Sequence, residues 1–296
     1  MMKNEITGIK KNKEKTSKVI GNILVHIGLG ILAFIWVLPI LWVIMTSFRA
    51  GKGSYSTTFI PQSWTLSNYT TLLTDTDIFN FPRWFGNTLF VAIISCILAT
   101  FYLVSIAFVM SRLRFKARKP MLNVALILGM FPGFMSMIAV YYILKGIGLT
   151  QGNLKLVALI LLYSGGASIL QFYVAKGFFD TIPKTIDEAA YIDGATKWDV
   201  FTKITIPLAK PIIVYTVLTS FMAPWIDFIM AKVIIGTDAQ YYTVAIGLWN
   251  MLEKENIYQW YTRFAAGAVL VSIPIAILFV IMQRYYTDGM SGAVKG

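Results

Sequence analysis

One cysteine, Cys96, and one histidine, His26, stand in 296 residues. A lone thiol closes no internal disulfide, which excludes a disulfide-stapled scaffold. A lone imidazole excludes most histidine-based metal sites and any catalysis that needs two imidazoles. Charge is scarce too: Asp, Glu, Lys and Arg make 14% of the chain against 57% hydrophobic residues, where a soluble domain carries about 25% charged residues. That is too little polar surface to coat a water-soluble globule, so a soluble enzyme and a disordered tail are excluded. No G-x-x-x-x-G-K-[ST] phosphate loop is present; Gly146-Ile147-Gly148 and Gly165-Gly166 lack the lysine and follow no strand. Nor are there alternating segments of about ten residues, the mark of a membrane barrel.

What remains is apolar sequence in long runs, with 26 Lys and Arg against 14 Asp and Glu. A helix needs about 20 mostly apolar residues to cross the hydrocarbon layer, and lipid leaves no backbone group unpaired. The sequence predicts an all-α polytopic membrane protein with six transmembrane helices, at about 20–48, 86–110, 121–144, 154–175, 211–235 and 264–282. Residues 1–19 hold six lysines before the first run. That run is too long for a signal peptide and lacks a small-residue cleavage site, so it is read as a retained span. With the N-terminus inside, 18 of the 26 basic residues fall in inner segments, five of them in the short loop 111–120. The short loop sets the orientation, with both termini cytoplasmic. Positive charge spread over loops, not gathered in one stripe, argues against nucleic acid. Outer segments 49–85 and 236–263 carry Trp64, Tyr69, Trp84, Tyr241, Tyr242, Trp249, Trp260 and Tyr261; such aromatics anchor at the headgroup level or form a docking surface for a partner.

The inner loop 176–210 is too long for a mere connector. Thr185 with Glu188 three residues on reads as a capping box that starts a short helix, and Gly194 permits its stop. Thr196 with Asp199 starts a second helix, on which Trp198, Phe201 and Ile204 share one face before Pro207 and Pro211 interrupt it. Local physics leaves two readings open: a structured connector, or a helix–elbow–helix suited to a groove on a partner.

Glu188-Ala189-Ala190, three residues, Gly194, nine residues, Ile204, one residue and Ile206-Pro207 resembles the signature loop of ABC-importer membrane subunits, written EAA-x3-G-x9-I-x-LP. Six positions match; Ile206 stands where that family usually has leucine. Six spans and the tail from Asp288 to Gly296 extend the likeness to carbohydrate importers, and to the smaller membrane subunit of the maltose/maltodextrin type. The resemblance implies that Glu188, Ala189, Ala190, Gly194, Ile204 and Pro207 form a coupling element seated in a cleft of a cytoplasmic ATPase. Glu188 would face a basic group there, the alanines would allow close approach, and Gly194 would make the turn. It also implies a tail, 283–296, reaching the ATPase interface, with Gly289, Gly292 and Gly296 favouring an extended conformation. The expected partners are an ATPase homodimer that binds ATP and Mg, a second homologous permease, an extracytoplasmic sugar-binding protein and membrane lipid, with no cofactor in this chain.

Ionisable residues inside a span are expensive and tend to face a cavity or partner. Asp227, after Pro224, lies either on the translocation path or at the wet outer end of span five with Lys232 nearby. Tyr163, Ser164 and Gln171 in span four and Ser220 in span five are further candidates for the path. Gly129 and Gly133, flanking Pro132, mark a close helix contact or a kink. Other classes are disfavoured: a secondary transporter would show paired inverted repeats with broken helices, and an intramembrane enzyme a nucleophile and base at depth. Another solute on the same architecture stays open.

Overall fold

A computed structural model describes residues 2–51, 58–131, 133–165 and 169–293. Their regular structure is helical, apart from one isolated antiparallel bridge between Arg49 and Trp64. Helices α1 (Met2–Ser47), α2 (Ser67–Thr74) and α3 (Phe81–Arg112) come first, followed by α4 (Arg118–Gly129), α5 (Gly133–Gly146), α6 (Leu154–Gly165) and α7 (Ile169–Thr181). Then come α8 (Lys184–Ile192), a short α9 (Lys197–Asp199) running into a π-helical turn Val200–Thr205, and α10 (Ile206–Leu208). The chain ends with α11 (Lys210–Ile226), α12 (Ile229–Ile235), α13 (Val244–Met251) and α14 (Ile257–Ala293).

The spine is α3, whose 32 residues extend about 48 Å. Asn80 caps it, its side chain accepting the Arg83 N–H at 3.1 Å, with Pro82 in the first turn where a missing N–H costs nothing. Against α3 pack α6, α7 and α11. Two of its buried hydroxyls return to its own carbonyls, Ser95 to Val91 O at 2.6 Å and Thr88 to Trp84 O at 2.9 Å, which satisfies them among apolar neighbours. Two apolar clusters lie along the spine. One gathers Phe81, Trp84, Val91 and Ala92 with Leu159, Trp225, Ile246 and Met251. The other joins Leu103, Val104, Ala107 and Phe108 to Phe179, Val200, Phe201 and Ile212.

Three helical segments are individually long and apolar enough to cross a membrane: Val19–Ser47, Phe81–Arg112 and Ile257–Gln283. The bent pair Lys197–Leu208 and Lys210–Ile226, at 79° to each other, makes a fourth if counted as one span. The apolar segment expected at 121–144, with a close contact or a kink around Pro132, and the one at 211–235, with a break or kink at Pro224, are each divided. Glycine ends α4 and opens α5; α11 stops at Ile226 because Pro224 destabilises the helix and Asp227 turns to extended backbone at ψ 112°. Residues 166–168, between α6 and α7, lie outside the described residues. Pro132 lies outside the described residues. A Cβ on Gly133 would meet nothing within 4 Å, so that glycine marks the break and not a close helix contact.

Two further expectations change. Tyr241, Tyr242 and Trp260, read as headgroup anchors or a docking surface, are buried in the first cluster with Trp84; Trp249 stays exposed. The expected extended tail is helical through Ala293, so Gly289 and Gly292 continue α14, and Gly296 lies outside the described residues. A helix satisfies its own backbone groups where an extended segment needs a partner, which outweighs about 1 kcal/mol per glycine.

Candidate functional site

Arg112, the last residue of α3, organises one end of the bundle. Its Nη2 donates to Phe179 O and Ile182 O, each at 2.9 Å, closing the C-terminal carbonyls of α7. Its Nη1 lies 3.3 Å from Asp187 Oδ2 on α8, with the two side chains only 2% and 9% exposed. Arg112 Nε and Nη1 and Asp187 Oδ1 make no hydrogen bond, so the pair is held by charge more than by directed bonds. Beside it, Ser111 Oγ donates to Asp180 Oδ1 at 2.5 Å and Lys176 Nζ to Asp180 Oδ2 at 2.6 Å. Burial pushes the Asp180 carboxyl up, but these bonds and the charges of Lys176 and Arg118 prevail and hold it below the usual carboxylate range. The end of span two, the end of α7 and the first turn of α8 are thus tied together.

Neighbouring carboxylates on α8 take opposite roles. Asp187 points inward to Arg112 while Glu188 and Ala189 are exposed, as residues about 100° apart on a helix must be. The capping box expected at Thr185 is absent: Pro183, with φ −58°, takes the boundary and α8 has no side-chain cap. Its C-terminal turn closes at Gly194, whose φ of +85° is open to glycine at little cost. The second box forms as expected. Thr196 accepts the Asp199 N–H at 3.1 Å, and Asp199 Oδ2 accepts the Thr196 N–H at 3.0 Å and its hydroxyl at 2.5 Å. With Lys203 Nζ at 2.6 Å from Oδ1, these contacts hold the Asp199 carboxyl far below the usual range, the Lys203 bond first among them.

Beyond the elbow, Phe201 is buried against Phe108 at a ring separation of 4.8 Å, and Ile204 packs at the edge of the same cluster. Trp198 does not follow them: it is 66% exposed, and Ile192 is 86% exposed. Pro207 is exposed in α10, and Ala209 makes the corner to α11. The six motif residues therefore fall on one helix–elbow–helix, with Glu188, Ala189, Gly194 and Pro207 facing out. The sequence missed Arg112 and Asp187 as a pair, because 75 positions separate them and arginine there reads only as loop charge.

A second constellation lies deeper. A cavity of about 630 Å³ is walled by α5, α6, α7, α11 and α12, and its polar lining is Ser136, Tyr163, Gln171, Thr219, Ser220 and Asp227. Tyr163 Oη donates to Asp227 Oδ2 at 2.7 Å, and Asp227 Oδ1 accepts the Met230 N–H at 3.1 Å. The break between α11 and α12 is what turns this carboxylate into the cavity. Lys232, expected near Asp227, instead donates to Tyr242 Oη at 3.3 Å and lies over its ring. Among the described residues no ion pair reaches Asp227. Tyr163, Gln171 and Ser220 thus share this cavity with Asp227, while Ser164 lines a separate, smaller one with Phe172. His26 Nδ1 donates to Asn22 O at 2.7 Å within α1, and no cluster of three or more metal-ligating side chains occurs among the described residues.

Residues 103–292 match the family described as binding-protein-dependent transport system inner membrane component. The galactooligosaccharides transport system permease protein GanQ of Bacillus subtilis (strain 168) is 34% identical over 269 residues, covering 90% of this chain and 93% of that protein. The maltodextrin transport system permease protein MdxG of the same organism is 32% identical over 282 residues, 95% of this chain and 99% of its own. Among solved structures, a chain of a bacterial ABC transporter involved in import of the acidic polysaccharide alginate superposes with a TM-score of 0.76 at 22% identity. The match covers 91% of this chain and 98% of that one.

Proposed function

The chain belongs to the binding-protein-dependent transport system inner membrane component family, and from that premise we propose that it is the permease subunit of an ATP-driven importer of oligosaccharides. Both curated relatives are named for oligosaccharide transport and align over nearly their whole length, which supports a saccharide of the maltodextrin or galactooligosaccharide kind. The observation that carries the reading is the helix–elbow–helix of residues 184–208. Its inner face is anchored to span two by Arg112 and Asp187, while Glu188, Ile192 and Trp198 stand exposed. An element anchored on one side and bare on the other is built to pass force from a partner to the bundle.

In this reading a separate ATPase pair holds ATP and Mg and grips the exposed face. Glu188 meets a basic group in its cleft, a charge-assisted contact of high directionality. Ala189 and Ala190 let the partner backbone come close, Gly194 keeps the elbow, and Ile204 and Pro207 fix the return to α11. Closure of the ATPase pair moves α8; Arg112 hands that motion to α3 and α7, and the helices rock between inward-open and outward-open states. Six membrane crossings with both termini cytoplasmic fit this arrangement: α4–α5, α6–α7 and α11–α12 supply the third to fifth crossings, and Gly133 and Asp227, at the breaks in the third and fifth, line the cavity. Tyr163, Gln171 and Asp227 lie on the path of the sugar. A second permease completes the pore, and an extracytoplasmic binding protein meets segments 49–85 and 236–263.

Co-purification tests it. A tagged copy from its own membrane is expected to bring an ATPase and a second hydrophobic permease. Reconstituted with the binding protein, the assembly is expected to take up maltotriose or galactotriose at the expense of ATP. A stable chain that transports alone contradicts the proposal.

A further inference from the structure

The cavity holding Asp227 has a chemical bias that the oligosaccharide reading does not require. About 630 Å³ falls within the range of small-molecule sites. Its apolar wall includes Met137 and Leu162, surfaces on which the C–H face of a pyranose ring can lie, and its polar groups include Tyr163, Gln171, Ser220 and Asp227. Among the described residues lining it there is no Lys, Arg or His. Among the described residues no cation pairs with Asp227, which lies half-buried on the cavity wall. Both of its oxygens already accept a hydrogen bond. A carboxylate offers about four lone-pair sites, so roughly two remain for the hydroxyls of a guest.

We propose that this cavity is a saccharide subsite selective by charge: Asp227 accepts hydroxyls of neutral sugars and rejects sugars bearing a carboxylate. The proposal rests on the oligosaccharide-importer reading and narrows it to neutral substrates. The physical reason is the absence of compensation. A second carboxylate within about 5 Å of Asp227, at an effective dielectric of about 20, is disfavoured on the order of a hundredfold. Among the described residues no basic group on the lining offsets that repulsion. A hydroxyl at the same place donates to the carboxylate and gains a charge-assisted hydrogen bond.

The test compares entry ratios in the complete importer reconstituted with its ATPase, second permease and binding protein. The probes are maltotriose and galactotriose, each against the same trisaccharide oxidised to a uronate at its terminal C6. The binding protein is common to every sample, so its own preference cancels when variants are compared with wild type. Asp227→Asn keeps the size and one acceptor oxygen, puts an amide NH2 in place of the other and removes the charge; it is expected to raise the uronate-to-neutral ratio at least tenfold. Asp227→Glu keeps the charge and is expected to stay within threefold of wild type. Gln171→Glu adds a second carboxylate and is expected to lower the ratio at least threefold, which decides the matter even if the Asn variant fails to assemble. An unchanged ratio in Asp227→Asn, or in Gln171→Glu where that variant alone assembles, overturns charge selection while leaving the importer reading intact. Wild type that takes up neither neutral trisaccharide overturns the importer reading itself, and this inference with it.

Discussion

Asp187→Asn isolates the link between the exposed elbow and the bundle. The substitution keeps size and shape and removes one charge from a pair whose partner, Arg112, is 2% exposed. Arg112 keeps its bonds to Phe179 O and Ile182 O, so α7 stays closed, but the guanidinium is left buried without a counter-ion. Breaking a buried pair by removing one partner costs about 3–5 kcal/mol, between about a hundredfold and a few thousandfold in the equilibrium that seats α8 on the end of α3. Replacing both partners with apolar residues, Arg112→Met with Asp187→Leu, removes the stranded charge and is expected to recover most of the seating. Amide hydrogen exchange over 184–192 reads the seating directly, and uptake per ATP hydrolysed reads its consequence. The Asn variant is expected to exchange at least a hundredfold faster there, with unchanged protection in α3, and to hydrolyse ATP with little uptake. Exchange within twofold of wild type refutes the reasoning that this pair holds the elbow.

Two glycines separate strain from crowding. Gly194 needs φ +85° but has open space around it, so Gly194→Val is expected to cost about 1–2 kcal/mol through backbone strain, with membrane insertion intact and uptake per ATP reduced, read in the reconstituted importer. Gly247 is the reverse: a Cβ there falls 1.9 Å from the Trp84 ring, so Gly247→Ala is expected to cost 3 kcal/mol or about that and to lower the thermal midpoint of the detergent-solubilised chain. The Asp199 carboxyl is held below its unfolded value, near 3.9. Its contribution to α9 is therefore complete above about pH 4 and is lost as pH falls through the folded value. Exchange protection of residues 199–203 is expected to be flat from pH 8 to 5, after correction for intrinsic rates, and Asp199→Ala to lower it throughout that window. Glu188→Ala, which faces solvent in the isolated chain, is expected to leave stability within 0.5 kcal/mol or about that while uncoupling ATP hydrolysis from uptake.

The sequence carried the class and the elbow, because both rest on local chemistry. Apolar runs report lipid whatever their neighbours do, and Gly194 and Thr196-x-x-Asp199 report a turn and a cap from adjacent residues alone. Thr185 misled for the same reason: its box satisfied the local rule, but Pro183 two residues earlier fixed the boundary first. The breaks in the third and fifth apolar segments were half legible. Pro132 and Pro224 stand beside them, yet hydropathy averages across a break and a proline alone does not distinguish a kink from a stop. Arg112 and Asp187 meet only in three dimensions. Nothing local says that Asp187 turns inward while Glu188 turns out; that follows from Ala190 of α8 packing against the cluster that holds Phe179. The buried Tyr241, Tyr242 and Trp260 were misread because aromatic residues beside a span serve an interface or a core equally well by composition.

Cysteine accessibility in the assembled importer tests the central claim most directly, since Cys96 is buried and can be replaced by serine without leaving another thiol. Single cysteines at Ile192 and Trp198, both exposed in the isolated chain, are expected to react freely with a water-soluble maleimide when the permease is alone. They are expected to be protected, and to cross-link to the ATPase, once the assembly forms. Equal labelling in the two states, with no cross-link, contradicts the account.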